Sequence, residues 1–341
     1  MRGIKMFNVP KLRFREFEGE WVEKRYGDIY SFYSTNSLSR DKLNYEDGEV
    51  KNIHYGDIHT KFSTIFDIEK ESVPFINRAV NLAKIKDTSY CKEGDLVIAD
   101  ASEDYADIGK TVELKKLDNQ KLLAGLHTFL ARPNSNKITL GFMGYLLQSW
   151  KIRKQVMTIA QGTKVLSLST SRLKQVKLNL PQKQEQKKIA TYLTSIDKKI
   201  EQLNQKRTLL ESYKKGVMQK IFSQEIRFSP TLVPTLSVGT SSGFDDWEEK
   251  KLGEISTLTS SKRVYLSDYT KTGIPFYRGK EISELKLGIT PKDILYISEE
   301  IYEEYKFKYG VPQINDLLIT AVGTLGNVLK IKKNKSLYFG A

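Results

Sequence analysis

The spacing of hydrophobic residues changes character along the chain. Between residues 50 and 133, short runs rich in β-branched and aromatic side chains are separated by Gly, Asp, Asn and Pro: 50–58, 94–102, 110–117 and 125–133. Runs of that length bounded by turn residues predict strands. Residues 138–157 switch to a helical period, with Ile138, Phe142, Tyr145, Leu146 and Ser149 on one face. A loop at 161–164 and a strand-like run at 173–181 follow. Together these elements predict an α+β domain with a curved β-sheet and small helices.

The longest pattern starts at Pro181, and proline is favoured at a helix start because its missing N–H is not needed there. Apolar residues then recur every seven positions at Ile189, Ile196, Leu203, Leu210 and Val217. A second row four residues later reads Leu193, Ile200, Arg207, Lys214 and Ile221. This alternation is a heptad stripe, and residues 182–222 as one helix would run roughly 61 Å. Arg207 and Lys214 on the stripe would disfavour a symmetric dimer through like-charge contact. They suit a partner helix carrying acids or polar groups, although self-association through the stripe is a second option. The Ser/Thr/Pro/Gly-rich stretch 229–243 predicts a linker.

The chain also repeats itself. Residues 20–29 (EWVEKRYGDI) match 246–255 (DWEEKKLGEI), 53–58 (IHYGDI) faces 276–282 (FYRGKEI), and 94–99 (GDLVIA) matches 315–320 (NDLLIT). Gly109 matches Gly326, and the four blocks keep their order. The second copy stops near the counterpart of Gly125, so it is expected to lack its closing half and a second long helix. The expected organisation is a first domain at 9–180, a coiled-coil helix at 181–222, a linker at 223–245 and an incomplete second domain at 246–341.

Charge adds a partner class. Lys and Arg number 55 against 41 Asp and Glu, giving a net charge of +14. That balance favours a polyanion, because Lys and Arg displace counterions from phosphates; an anionic membrane or an ordinary basic surface would also fit. One cysteine, Cys91, excludes a disulfide framework, and His54, His59 and His127 form no metal-ligand pair at helical spacing. No run approaches the ~20 apolar residues of a membrane span; the best, Leu140–Leu147, is short and followed by Lys151, Arg153 and Lys154. Residues 1–10 lack the apolar core of a signal peptide, so the cytoplasm is the expected location.

Nucleic-acid contact needs donors on loops that can approach a groove. Gln161, Gly162, Thr163 and Lys164 are the first candidates, then Asn52, His54 and Tyr55 running on to His59, Thr60 and Lys61, then Lys110. Lys262, Arg263, Tyr277, Arg278 and Lys280 are their analogues in the second copy. Catalytic patterns fare worse. Gly109–Lys110–Thr111 resembles the end of a phosphate-binding loop, but Asp104 stands where that loop needs glycine. Asp100 with Glu113–Leu114–Lys115 could suit a metal nuclease, yet Glu-x-Lys recurs at Glu284–Lys286 and Glu304–Lys306. No Asn/Asp-Pro-Pro-Tyr motif, glycine-rich cofactor loop or nucleophile elbow is present. A stand-alone DNA-binding endonuclease and a coiled-coil nucleic-acid adaptor remain as alternatives, but neither accounts for a duplicated domain around a helix.

The chain resembles the specificity subunits of type I restriction–modification systems. The resemblance rests on the doubled Trp-x-Glu-Lys-x-x-Gly-Asp/Glu-Ile start and on Gly94–Asp95–Leu96–Val97–Ile98 followed by Ile108–Gly109–Lys110. It continues at Gly162–Thr163 before Leu168–Ser169–Thr170–Ser171–Leu173, and at Leu180–Pro181 leading through Glu185–Gln186 and Ile189–Ala190 into the long helix. It implies a non-catalytic subunit whose target-recognition domains each read half of a split site in double-stranded DNA. The long helix would set the gap and dock methyltransferase subunits through Ile189, Leu193, Ile196, Ile200, Leu203, Leu210, Val217 and Ile221. Restriction/translocase subunits would join that core. The resemblance implies no cofactor on this chain; S-adenosylmethionine, ATP and Mg²⁺ would sit on partner subunits. Two departures stand out: the second domain is shortened, and Asp100–Ala101–Ser102 stands where many members carry a basic or glycine-containing turn.

Overall fold

The structure, a computed structural model, describes residues 9–228, 238–239, 247–323, 325–332 and 337–340. Most of the expected linker, Asp246, Thr324 and Ala341 lie outside the described residues. The chain divides into two compact units, Met1–Arg227 and Phe228–Ala341.

Unit 1 opens with β1 (Val22–Arg25), the one-turn helix α1 (Tyr26–Ile29) and β2 (Tyr30–Tyr33). Next come β3 (Leu43–Asn44), β4 (Val50–Ile53), α2 (Tyr55–Thr60), β5 (Ile65–Asp67) and β6 (Phe75–Ile76). The central strands are β7 (Leu96–Ala99), β8 (Ala101–Ser102), β9 (Thr111–Lys116), β10 (Lys121–Ala124) and β11 (Thr128–Pro133). Helices α3 (Met143–Gln148) and α4 (Trp150–Ile159) follow, then β12 (Leu166–Ser167), α5 (Thr170–Leu173), β13 (Lys177–Leu180) and the 40-residue α6 (Lys183–Phe222).

Two mixed sheets carry the unit, ordered β2-β11-β7-β9-β5 and β10-β4-β6-β3. Alternation along β7 shows why both of its faces are apolar. Leu96 and Ile98 enter a core with Tyr26, Phe142, Met143, Ile152 and Val156, whereas Val97 and Ala99 enter a second core with Ile53, Ile58, Phe66 and Leu122. A central strand covered on both sides reads as a continuous hydrophobic run, as Leu-Val-Ile-Ala does here. The antiparallel pair β1–β13 closes the chain on itself, from Val22–Leu180 to Arg25–Lys177.

Three expectations need correction. The run 50–58 is not one strand: it stops at Ile53, and His54 caps α2 by accepting the Gly56 N–H on Nδ1 at 3.2 Å. Residues 138–157 form two helices, because Ser149 is extended (φ −62°, ψ 140°). The buried pairs Met143/Leu147 and Ile152/Val156 each keep i, i+4 spacing, but five positions separate Leu147 from Ile152. The break returns the second pair to the core. The run 173–181 is strand only over Lys177–Leu180, after the single turn of α5.

The start of α6 is locked into unit 1. Glu185 is fully enclosed, receiving the Arg13 guanidinium at 2.8 and 2.6 Å and the Trp21 indole N–H at 3.2 Å. Gln186 accepts the Thr139 N–H and donates to the Pro181 carbonyl, both at 2.9 Å. Further on, Tyr145 donates its hydroxyl to Asp197 at 2.6 Å, and Lys70 pairs with Glu201 at 3.3 Å. Past that point Leu203, Leu209, Leu210, Tyr213, Met218 and Phe222 are all exposed.

Unit 2 repeats much of this plan. The two-residue strands β14 (Arg227–Phe228) and β15 (Val238–Gly239) pair at its start. The rest comprises α7 (Leu252–Ile255), β16 (Tyr269–Thr270), β17 (Ile274–Tyr277), α8 (Gly279–Lys286), β18 (Leu295–Ile297), α9 (Glu299–Tyr309), β19 (Leu317–Ile319), β20 (Val328–Lys330) and β21 (Tyr338–Phe339). Its sheet, β21-β17-β18-β16, has the order of β10-β4-β6-β3. The β21–β17 pair is parallel, as β10–β4 is, and the β19–β20 pair is antiparallel, as β7–β9 is. The short helix α7 stands where α1 does, and α8 follows β17 as α2 follows β4. Where unit 2 has α9, between β18 and β19, unit 1 has only a 3-10 turn at Asp87–Ser89, between β6 and β7.

Candidate nucleic-acid interface

The candidate residues of unit 1 come from four segments that meet at one end of β7. There Asp100 interrupts the strand. Its N–H donates to the His127 carbonyl at 3.1 Å, and its carbonyl accepts the Leu168 N–H at 2.8 Å. Beyond it, β8 pairs with β12, and Gln161 and Ser167 exchange two backbone hydrogen bonds (3.0 and 2.7 Å) that close the 161–167 loop. From the other side His59 donates its Nε2–H to the Ala101 carbonyl at 3.0 Å. The end of α2, the 100–110 loop, His127 and the 161–167 loop thus form one continuous rim.

All three histidines contact or approach the Tyr55 ring, with centroid distances of 4.7 Å for His54, 5.9 Å for His59 and 5.3 Å for His127. His54 is buried and neutral: Nδ1 accepts the Gly56 N–H and faces Arg40 Nη2 at 3.3 Å, so that nitrogen carries no proton. Burial first, and the neighbouring Arg40 charge second, hold its pKa below 6.5. His127 adopts the left-handed backbone (φ 54°) and sets Nδ1 3.3 Å from the Asp100 carboxylate, whose own pKa is raised by burial.

The candidates divide by what they already hold. Asn52 is fully buried and accepts a hydrogen bond from Asn36 at 2.7 Å, so it and the capping His54 serve the scaffold. Lys61 is engaged by Asp57 and the Tyr45 hydroxyl, both at 3.0 Å. Lys110 donates to the His59 carbonyl at 2.7 Å and lies 3.5 Å from Asp107. Gln161, Gly162, Thr163 and Lys164 are exposed. Gly162 sits at φ 125°, and a Cβ there would collide with the Val165 carbonyl oxygen. Glycine is therefore what permits this turn. Exposed donors on a loop held by a rigid strand suit contact with phosphates and base edges. The adjoining 103–107 loop is acidic, with Glu103, Asp104 and Asp107, and would turn phosphates away.

In unit 2, Arg278 holds the N-cap position of α8 and its guanidinium donates to the buried Glu281 at 2.6 Å, while in unit 1 Arg40 grips Asp57 at 2.7 Å at the same helical position. Tyr277 ends β17 half-buried, Lys280 lies 4.0 Å from Glu284, and the Lys262 ammonium lies 5.5 Å from the Tyr309 ring centre. Arg263 lies 5.6 Å from the Tyr265 ring and lines a cavity of about 500 Å³ with Gly279, Ile319, Thr320, Phe339 and Gly340.

Sequence reasoning missed Arg40, Tyr45 and the Asp100–His127 pair, which reach the rim from separate loops and carry no local spacing signal. Glu113, weighed in the sequence as a metal-site carboxylate, is buried; it accepts the Gly141 and Gly144 N–H groups at 2.6 and 2.7 Å and so anchors α3. Burial pushes its pKa up to about 7. Among the described residues no group of three or more His, Cys, Asp or Glu could hold a metal ion. Cys91 is buried, and burial drives its thiol pKa upward, the opposite of what a thiolate nucleophile needs. No helix among the described residues is long and apolar enough to cross a membrane.

Comparison with known proteins agrees with this architecture. The family profile of the type I restriction modification DNA specificity domain matches residues 18–212. A Methanocaldococcus jannaschii protein described as the MjaX type I restriction enzyme specificity subunit is 27% identical over 332 residues, covering 94% of this chain and 71% of the relative. The MjaVIII specificity subunit of the same organism is 28% identical over 131 residues, covering 38% of this chain and 30% of the relative. Among solved structures, a chain from work on complex assembly and conformational transition of the type I R-M system superposes with a TM-score of 0.52 at 15% identity. It covers 94% of this chain and 73% of that one, a likeness of fold. The α+β units, the long helix and the profile match over more than half of its length place this chain in the type I restriction–modification DNA specificity family.

Proposed function

We propose that this chain is the non-catalytic subunit that reads a split DNA target and carries methyltransferase subunits to it along α6. The observation that carries the reading is the contrast along that helix. Its first turns are fixed by enclosed polar contacts at Glu185 and Gln186, while Ile196, Ile200, Leu203 and Leu210 of the heptad stripe remain exposed. Exposed aliphatic side chains at heptad spacing favour burial against another helix, since each buried CH₂ contributes about 0.8 kcal/mol. Ile189 and Leu193 are half-buried near the anchored end, and Val217 and Ile221 extend the stripe to the far end. Arg207 and Lys214 on the same stripe favour a partner helix with acidic or polar groups over a second copy of α6.

On this reading the rim around Tyr55 and the 161–164 loop faces the DNA groove, and the Tyr277–Lys280 turn does so in unit 2. S-adenosylmethionine, ATP and Mg²⁺ belong to partner subunits, and restriction/translocase subunits join the methyltransferase core. The test is co-expression with a type I methyltransferase subunit. Wild-type chain should co-purify with it, and Leu203→Lys with Leu210→Lys should abolish co-purification while unit 1 keeps its melting temperature. Undiminished co-purification of the double variant would refute docking on this stripe.

A further inference from the structure

Three imidazoles surround the Tyr55 ring, and they differ in what their nitrogens are free to do. His54 is buried and uses Nδ1 to accept the Gly56 N–H. His59 donates its Nε2–H to the Ala101 carbonyl, and its Nδ1 is enclosed. His127 keeps 52% of its side chain exposed, and its Nε2 makes no hydrogen bond among the described residues. Of the three, His127 alone can offer a ring nitrogen to an outside partner.

The turn that carries His127, between β10 and β11, is fixed from both sides. Gly125 donates its N–H to the Ile53 carbonyl at 2.8 Å and accepts the Thr128 hydroxyl at 2.6 Å. The His127 carbonyl accepts the Asp100 N–H at 3.1 Å. The residue sits at φ 54°, a left-handed conformation that persists where the surroundings impose it. Its side chain is held as well. Nδ1 lies 3.3 Å from the Asp100 carboxylate, and the Tyr55 ring meets the imidazole at an interplanar angle of 78°. A ring held on two sides gives up little freedom when it binds.

Asp100 also sets the chemistry of the far nitrogen. An ionised carboxylate only accepts hydrogen bonds. The neutral ring therefore carries its proton on Nδ1 and presents a lone pair on Nε2. Against a base edge in the major groove, a lone pair suits the amino group of adenine or cytosine. It opposes guanine O6 and thymine O4, which are acceptors themselves. In unit 2 Ala321 stands where Asp100 does, so no carboxylate occupies that position there.

We infer that, with the rim facing DNA as in the proposed function, His127 is a base-selecting residue of unit 1 and Asp100 is its positioning residue. Nε2 accepts a hydrogen bond from an amino base, adenine or cytosine, on one strand at one position of one half-site. An acidic side chain on a DNA-facing rim then has a physical reason: it fixes the tautomer of its neighbour.

The experiment uses the purified complex of the full chain with its methyltransferase subunit. Its substrates are duplexes in which each position of the mapped wild-type motif is varied in turn. One position of one half-site should favour an amino base over a keto base by roughly tenfold. His127→Asn tolerates the left-handed backbone and can still donate to Asp100, but carries no atom at the place of Nε2. It should level that preference and leave every other position, the second half-site included, unchanged. Asp100→Asn offers an amide N–H to Nδ1, moves the ring proton to Nε2, and should turn the same position toward guanine or thymine. A wild-type profile from His127→Asn would overturn the assignment, as would an Asp100→Asn complex that merely slows methylation evenly across bases. Faster amide exchange at 128–131 in both variants would make the pair a prop for β11 and overturn it too. A wild-type complex that methylates no defined motif would instead remove the DNA reading itself, and this assignment with it.

Discussion

Substituting Asp95 tests whether the duplicated strand entry does different physical work in the two units. Asp95 is completely enclosed, and its partner Arg132 keeps 14% of its side chain exposed. The guanidinium meets the carboxylate at 2.9 and 2.7 Å, donates to the Tyr90 carbonyl at 2.8 Å, and lies 4.5 Å from the Tyr33 ring centre. Burial alone raises the Asp95 pKa, and Arg132 opposes that rise. In Asp95→Ala the guanidinium stays largely buried without a counter-charge, which costs about 3–5 kcal/mol. For a unit of this size, each kcal/mol moves the midpoint by about 2–4 °C, so the unit 1 transition should fall by roughly 6–20 °C. Asp316→Ala removes the same motif residue from an exposed site with one backbone hydrogen bond, and should cost at most about 1 kcal/mol. Asp95→Leu combined with Arg132→Leu should cost less than Asp95→Ala, since no charge is stranded. Scanning calorimetry of the full chain, with amide exchange to assign the transitions, reads all three. Equal effects from Asp95→Ala and Asp316→Ala would mean that the two aspartates do the same structural work.

Other outcomes follow from single residues. Gly162→Ala should disorder the 161–167 loop and weaken DNA binding by the assembled complex, with exchange at 96–99 unchanged; loss of protection there would mean the loop supports the core. His54 has a folded pKa below its unfolded 6.5, so its stabilising cap is whole above that value and is lost as pH falls through the lowered one. Unit 1 should therefore lose stability more steeply below about pH 6.5 than the His54→Asn variant, which keeps a capping oxygen; identical pH profiles would contradict this. Lys164→Glu should weaken binding of the complex across DNA sequences and lower the salt dependence by about one charge; a sequence-selective loss would instead make Lys164 a base reader.

Much of this architecture is legible in the sequence because its cause is local. The heptad stripe and Pro181 define α6 to within one residue, Gln182 being its cap. The repeated Gly/Asn-Asp-apolar entry marks β7 and β19 because an aspartate capping its own turn works within three residues. The missed features depend on partners distant in sequence. Val50–Ile58 looks like a strand until the His54 side chain folds back on Gly56 with Arg40 behind it. Nothing near Ser149 signals a break, since it is set by where Met143 and Ile152 must both reach the core. The enclosed pairs Arg13–Glu185 and Arg132–Asp95 join residues 172 and 37 positions apart, beyond any periodicity. Burial of the candidate DNA contacts was the least legible: polar residues of similar appearance are enclosed at Asn52 and exposed on a loop at Lys164.

A reader that delivers methyltransferase subunits to a split site leaves its pattern on DNA. Methylation mapping of DNA from cells that carry this chain with its methyltransferase subunit and no other modification system reads that pattern. Methylation is expected at one motif in two parts separated by a gap of fixed length, lost in the Leu203→Lys/Leu210→Lys variant. Methylation without a consistent split motif, or unchanged by that variant, would contradict that role.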